Sequence, residues 1–286
     1  VIPASFLLAS PTKWLRVAFF LSAADILWCD PFSACRHLLG LSIMAKLQGK
    51  VALVTGGNKG IGKGIARGLA GEGASLVLVA RGQAELEQTA AELRATGAEV
   101  LTIAADLTVE SEVARVFAEM MAKWHRLDVL VNNAGAFDSG RLEDLTLEAW
   151  DKVMAINLRA PFLCTREAFR IMKPQGGGKI INIGSISAQR VRLHSAPYST
   201  SKHGLWGLTQ VTALEGREYN IACGCLHPGN TQVERRVASG KFEDDEPMMT
   251  VDELAQTAVL MATLPPHVNL LEAIVLPVRQ LYVGRG

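Results

Sequence analysis

Short apolar runs recur along the chain at Val51–Val54, Leu76–Val79, Val100–Ile103, Val129–Val131, Lys179–Ile183 and Ile221–Cys225. Longer segments with helical spacing separate them. Gln83–Thr96 places Leu86, Ala90 and Leu93 on one face, and Val109–Lys123 does the same with Val113, Val116, Phe117 and Met120. Strands that are apolar on almost every residue must be covered on both faces. Strand–helix alternation of this kind predicts an α/β fold, a doubly wound parallel sheet of about seven strands with helices on both sides. A last strand near Ala273–Leu276 completes the sheet. Residues 44–286 are enough for a single domain with a two-sided core.

The first run leads into Thr55-Gly56-Gly57-Asn58-Lys59-Gly60-Ile61-Gly62, after which Ile61, Ile65 and Leu69 recur at helical spacing. Strand, glycine turn and helix together form a phosphate cradle of the Rossmann type. Glycine lets the backbone approach a pyrophosphate, and the helix N-terminus offers free N–H groups and a positive dipole. The spacing Gly56-x3-Gly60-x-Gly62 departs from the common dinucleotide fingerprint, whose third glycine is replaced by Ile65. A glycine-rich turn without a ligand is the bland alternative.

Tyr198 and Lys202 stand four residues apart in Tyr198-Ser-Thr-Ser-Lys202, which on a helix puts both side chains on one face. A phenol near its ordinary pKa of ~10 exchanges protons poorly at neutral pH. A neighbouring ammonium favours the phenolate and makes such a group a usable general acid/base.

Taken together these segments resemble the short-chain dehydrogenase/reductase family, over roughly residues 48–280 and in the family's order. The glycine turn resembles its cofactor loop, and Asn132-Asn133-Ala134-Gly135 its structural NNAG segment. Asn157, Ser185, Tyr198 and Lys202 resemble its catalytic tetrad, and Pro228-Gly229 its contact near the nicotinamide. The resemblance implies hydride transfer between a nicotinamide and a carbonyl or alcohol carbon of a small substrate. Tyr198 would then move the proton, Lys202 would assist it and hold the nicotinamide ribose, and Ser185 would bind the substrate oxygen. Asn157 would anchor a water leading to solvent. It further implies cofactor contacts from Gly56, Asn58, Lys59, Gly60, Ile61, Gly62, Asn133, Ala134 and Gly135. Asp106 and Leu107 would meet the adenine, and Thr231, which arrives early after Pro228-Gly229, would meet the carboxamide. The family is commonly dimeric or tetrameric, which points to the helices at 146–172 and 196–216 as contacts of a homodimer or homotetramer.

The second run ends at Val79-Ala80-Arg81, where an acidic residue would bind a ribose 2′-hydroxyl and repel a 2′-phosphate. Ala80 and Arg81 occupy that position, and Lys59 adds a second cation. Two cations and no carboxylate predict NADP(H) over NAD(H), since Arg grips phosphate bidentately. A solvated pair of surface cations is the alternative.

Other features carry less. His194, His203 and His227 lack the spacing of a helix-borne metal site, and no metal is expected; His227 reads as a structural histidine. Cys223 and Cys225 share one face of a buried strand. Five cysteines without a framework spacing point to a reducing, cytoplasmic setting. A net charge of +1 gives no reason to expect nucleic acid. The stretch 230–250, with Glu234-Arg235-Arg236, Phe242, Glu243-Asp-Asp-Glu246 and Met248-Met249, is where substrate choice is expected. Leu264-Pro-Pro-His267-Val-Asn and Leu276-Pro277-Val278 resemble a branch acting on small hydroxy acids and related carbonyl compounds.

Residues 1–43 contain no Met and no clear periodicity, and Met44 reads as an ordinary start. They are expected to be a non-family extension from a mis-assigned upstream start. The alternative is a targeting segment built on Val17–Ala24, an apolar run far short of the ~20 residues that cross a bilayer; no membrane partner is expected. Two other functions remain open. One is a non-redox epimerase or dehydratase using the same Tyr/Lys pair, which usually carries a longer C-terminal domain. The other is a non-catalytic NADP-binding sensor, since fold does not dictate activity.

Overall fold

A computed structural model describes residues 45–234 and 247–283, and the expectations for residues 1–43, Arg235, Arg236, Phe242 and 243–246 lie outside them. From Ala45 onward the chain forms one compact unit. In chain order the principal elements are β1 (Val51–Thr55), α1 (Gly60–Gly71), β2 (Ser75–Ala80), α2 (Gln83–Ala95), β3 (Val100–Ala104), α3 (Glu110–Trp124) and β4 (Val129–Asn132). They continue as α4 (Leu147–Met154), α5 (Ala160–Gln175), β5 (Gly178–Ile183), α6 (Ala196–Gly216), β6 (Ile221–Pro228), α7 (Val251–Thr263) and β7 (Glu272–Val275).

The seven strands make one sheet in the order β3-β2-β1-β4-β5-β6-β7, with every pair parallel. Its register sets Leu53 beside Val77 on one side and Leu130 on the other. Alternation along β1 sends Ala52 and Val54 into one apolar layer, with Ile65, Leu69, Leu86 and Leu254. Val51 and Leu53 enter the opposite layer, with Val116, Phe117, Met120, Leu163 and Met172. Burial on both faces is why the strand sequences carry no polar alternation. The chain turns left of β1 for β2 and β3 and right for the rest. This opens a crevice beyond the carboxyl ends of β1 and β4, where such sheets bind ligands.

The segment 146–172 departs from the sequence expectation of one helix. A π-helical turn at Ala155–Arg159 separates α4 from α5. Such single turns often mark functional positions, and Asn157 lies inside this one. The remaining helix ends differ from expectation by a residue or so. Thr250 caps α7 with a reciprocal Glu253 contact, which fixes where the loop after β6 ends.

Gly224 sits in the middle of β6 where a Cβ would overlap the Leu270 carbonyl oxygen, and would meet Met261 Cε at 2.7 Å. The carbonyl belongs to backbone that cannot swing aside. Gly224→Ala is therefore expected to cost about 3 kcal/mol through overpacking, read as a lower urea midpoint at unchanged m-value.

Candidate active site

The cradle is built by β1, the turn after it, and the segment after β4. Gly56 takes a positive φ of 62°, and its N–H donates to the Val79 carbonyl at 2.7 Å, joining the turn to β2. Asn133 Nδ2 donates to the Thr55 and Gly56 carbonyls at 2.9 and 3.2 Å. In return the backbone N–H groups of Asn133 and Ala134 both donate to Thr55 Oγ1 at 2.9 Å. A Cβ on Gly62 would overlap the Gly56 carbonyl oxygen, so the helix can start this close to the turn only with glycine there. Ile61 is half-buried and packs on the first apolar layer.

The N-terminus of α1 already receives an anion. Gly60 N donates to Glu234 Oε1 at 3.2 Å, and that carboxylate oxygen stands where a phosphate oxygen of a dinucleotide would be received. The cradle thus fits a pyrophosphate. Alongside it a cavity of about 380 Å³ is lined by Gly56, Asn58, Lys59, Arg81, Asp106, Leu107, Asn133, Ala134 and Gly135. The structure therefore brings the expected phosphate, adenine and NNAG residues around one groove. Asp106 is exposed there, and its carboxylate accepts from Thr108 N and Oγ1 at 2.9 and 2.7 Å. Those hydrogen bonds, with minor help from Arg81 and Arg159, hold its pKa below the usual range.

One expectation is corrected here. The end of the groove that holds Lys59 and Arg81 holds a carboxylate as well as these cations. The first turn of α2 swings Glu85 back over the groove, where Glu85 Oε2 accepts from Asn58 Nδ2 at 2.5 Å and lies 3.5 Å from Lys59 Nζ. Reading the strand end alone missed it. The helical register after Gly82 was the available signal.

Tyr198 and Lys202 lie together on α6. Lys202 is buried, its Nζ lies 5.7 Å from the Tyr198 ring centre, and it donates to the Ile183 carbonyl at 2.7 Å. Phe137 meets the Tyr198 ring edge-on at 5.1 Å. Ser185 follows β5 and begins a short 3₁₀ turn, its Oγ accepting from Ser187 N at 3.1 Å. Asn157 is fully buried in the π turn. Its Oδ1 accepts from Ala136 N at 2.7 Å, and its Nδ2 donates to Ala136 O at 2.9 Å and Ser201 Oγ at 3.0 Å. Its side chain therefore joins the post-β4 segment to α6.

Pro228 ends β6, and Gly229 N donates to Val275 O at 2.8 Å. Thr231 is buried, with Oγ1 donating back to Gly229 O at 3.2 Å, and bridges to Met249. Sequence reasoning missed Gln280, whose Oε1 accepts from Asn230 N at 2.8 Å and covers this turn from the C-terminal segment. It also underrated His227. That ring is wholly buried on β6, Nδ1 lies 2.8 Å from the Ser185 carbonyl, Nε2 lies 3.4 Å from Glu272 Oε1, and Trp206 packs edge-on at 5.8 Å. The Ser185 N–H also points at Nδ1 at 3.3 Å, so Nδ1 donates to the carbonyl in one tautomer and accepts from the N–H in the other. Desolvation pulls the imidazole pKa below its ordinary value, against smaller opposing effects of Ser185 and Glu272. His203 Nδ1 meets the Ser199 carbonyl within its own helix at 2.8 Å, and His194 is exposed. Among the described residues no group of three His, Cys, Asp or Glu side chains could hold a metal, and no helix is long and apolar enough to cross a membrane.

Comparison with known proteins agrees with this arrangement. The family model described as short chain dehydrogenase matches residues 50–244. A D-beta-hydroxybutyrate dehydrogenase of Cupriavidus necator is 33% identical over 237 residues, covering 76% of this chain and 92% of that one. A sepiapterin reductase of Chlorobaculum tepidum is 34% identical over 234 residues, covering 79% and 95%. Among solved structures, a metagenomic short-chain oxidoreductase in complex with NADP superposes with a TM-score of 0.72 at 33% identity, covering 81% of this chain and 98% of that one. On these matches the chain belongs to the short-chain dehydrogenase family.

Proposed function

We propose that the chain is an NADP(H)-dependent oxidoreductase acting on a small carbonyl/alcohol substrate, of the ketone, 3-oxoacyl or 3-hydroxy acid type. The observation that supports this reading is the pairing of Tyr198 with Lys202 on α6, with Lys202 Nζ bound to the Ile183 carbonyl two residues before Ser185, in a chain that also carries the glycine cradle. Relatives named for hydroxybutyrate and sepiapterin, and a similar structure holding NADP, support the class of substrate and cofactor. The nicotinamide, when bound, supplies or accepts the hydride.

The rest is done by side chains. Ser185 Oγ orients the substrate oxygen and stabilises charge developing on it. Tyr198 Oη gives that oxygen its proton in reduction and takes it in oxidation. The Lys202 ammonium, fixed by the Ile183 carbonyl, faces the phenol and stabilises the negative charge left on it. Asn157 holds the Ala136 segment against α6, and in this reading also supports the water path that returns the proton. Arg81 and Lys59 receive the 2′-phosphate. A homodimer or homotetramer is supported by Leu147, Phe162, Val211 and Leu214, exposed apolar side chains on α4, α5 and α6. A reducing, cytoplasmic setting is supported by Cys164, Cys223 and Cys225, free thiols whose pKa burial raises, to about 12 for Cys164 and Cys225.

Tyr198→Phe is expected to lower kcat at least about 100-fold, the scale of a lost general acid/base, while NADPH binding by fluorescence titration stays near wild type. Turnover of 3-oxo acids, ketones or an acetoacetyl thioester that survives this change would remove Tyr198 from the role. Arg81→Asp is expected to weaken NADPH about 10-fold or more and leave NADH little changed. Equal or better kinetics with NADH in the unaltered protein would overturn the cofactor preference.

His227 yields a pH prediction. Its folded pKa is lowered, so the folded state binds fewer protons than the unfolded one. Its contribution to stability is complete above about 6.5 and is lost as pH falls through the lower folded value. Urea unfolding from pH 8 to 5 should show that acid limb, and His227→Gln should flatten it. An unchanged limb in the variant would assign the acid sensitivity elsewhere.

A further inference from the structure

The 2′-phosphate end of the groove is unusual in that its donors are already engaged by the protein's own acid. Glu85 Oε2 accepts from Asn58 Nδ2 at 2.5 Å, and the carboxylate also faces Lys59 Nζ at 3.5 Å from both oxygens. Asn58, Lys59, Arg81 and Glu85 all line the same cavity. The contact is a surface one, with the Lys59 and Glu85 side chains 63% and 55% exposed, so holding it contributes little to stability. Glu85 is not needed to cap α2, whose first turn begins after Gly82 with no side-chain cap. As the acidic residue of the first turn it suits the helix dipole, and its carboxylate is turned to Asn58 and Lys59 of the groove.

We propose that Glu85 is a specificity-determining residue of the cofactor site. Its carboxylate competes with a 2′-phosphate for Asn58 and Lys59, and so sets how strongly the chain separates NADP(H) from NAD(H). This rests on the NADP(H) reading above. The sign follows from charge alone. A bound 2′-phosphate must displace Glu85 from Asn58 and Lys59 and then lie beside a like charge. A ribose 2′-hydroxyl bears no charge and needs neither displacement. Arg81 supplies the attraction that outweighs this, and Glu85 trims it. At contact spacing in a water-like dielectric, a carboxylate beside a phosphate dianion weakens binding about 10-fold. The effect is expected to shrink at high salt, because the site is exposed.

Glu85→Gln tests the proposal, since glutamine keeps an acceptor for Asn58 and loses only the charge. Dissociation constants of NADPH and NADH would be measured by fluorescence titration of the full chain, wild type and variant, at about 20 and 500 mM salt, with thermal melts to verify folding. The expected result is NADPH binding about 10-fold tighter in the variant at low salt, less so at high salt, with NADH changed by less than about two-fold. An unchanged NADPH constant, or equal changes for both cofactors, would overturn the role of Glu85. The two readings separate cleanly. If wild type does not prefer NADPH but the variant gains NADPH affinity selectively, the preference reading fails and the Glu85 inference stands. If wild type prefers NADPH and the variant is unaltered, the reverse holds.

Discussion

Thr55 and Asn133 together hold the two halves of the sheet in register at the one place where the chain changes direction. β1 must serve both halves, and its last residue is where the two would part. Thr55 accepts from two consecutive backbone N–H groups of the post-β4 segment, while Asn133 reaches back to two carbonyls of the turn. Part-buried donors and acceptors of this kind cost about 1–3 kcal/mol each when left without a partner. The cradle's shape is therefore a consequence of hydrogen-bond satisfaction. The same logic runs on through the sheet. Asn132 donates to Asn182 Oδ1 at 2.8 Å, Asn182 donates to Thr209 at 2.9 Å, and Thr209 is on α6. A buried polar string thus ties the cofactor end to the helix that carries Tyr198 and Lys202. Such strings fix geometry because a partly satisfied one is costly.

The electrostatics of the groove follow a second rule. Its positive features are the α1 N-terminus, Lys59 and Arg81, and the first two have a carboxylate of this chain beside them: Glu234 at Gly60 N and Glu85 at Lys59. Binding an anionic cofactor is then an exchange of one anion for another. Selectivity in an exchange depends on the difference between the two anions, more than on the total positive charge. Glu234 comes from the segment after Pro228-Gly229, so filling the phosphate site also releases a contact made by the substrate side.

Most of the architecture was legible because buried parallel strands advertise themselves. Continuous apolar runs at Val51–Val54 and Leu76–Val79 can be covered only on both faces. The glycine turn, the NNAG segment and the Tyr198/Lys202 spacing were legible for a different reason: each is a local pattern, with its partners a few residues away. What the sequence hid was contact between distant segments. Glu85 meets Asn58 27 residues away, and Gln280 meets Asn230 across 50. The π turn was hidden as well, since α4 and α5 share one helical periodicity. The turn is matched by Asn157 being drawn to Ala136, on another element. His227 looked structural by composition, and its burial agrees. Its contact with the Ser185 carbonyl makes that structural role bear on the site.

The same distinction explains why substrate choice resists reading from motifs. The walls beyond Ser185 come from segments that meet only in the fold. Gly140 N donates to the carbonyl of His194, which takes a positive φ of 59°. A histidine held there is strained by about 1–3 kcal/mol. Tyr282 Oη donates to Gln189 Oε1 at 2.6 Å, Gln189 in turn donates to Glu272, and Glu272 lies against His227. The C-terminal segment, the loop before α6 and β7 are therefore coupled through side chains to the carbonyl of Ser185. A change at Gln189 or Tyr282 therefore reaches the Ser185 backbone without touching it, through Glu272 and His227. The Tyr198/Lys202 pair is a compact local pattern on α6, whereas the contacts that lead to the Ser185 carbonyl span nearly a hundred residues.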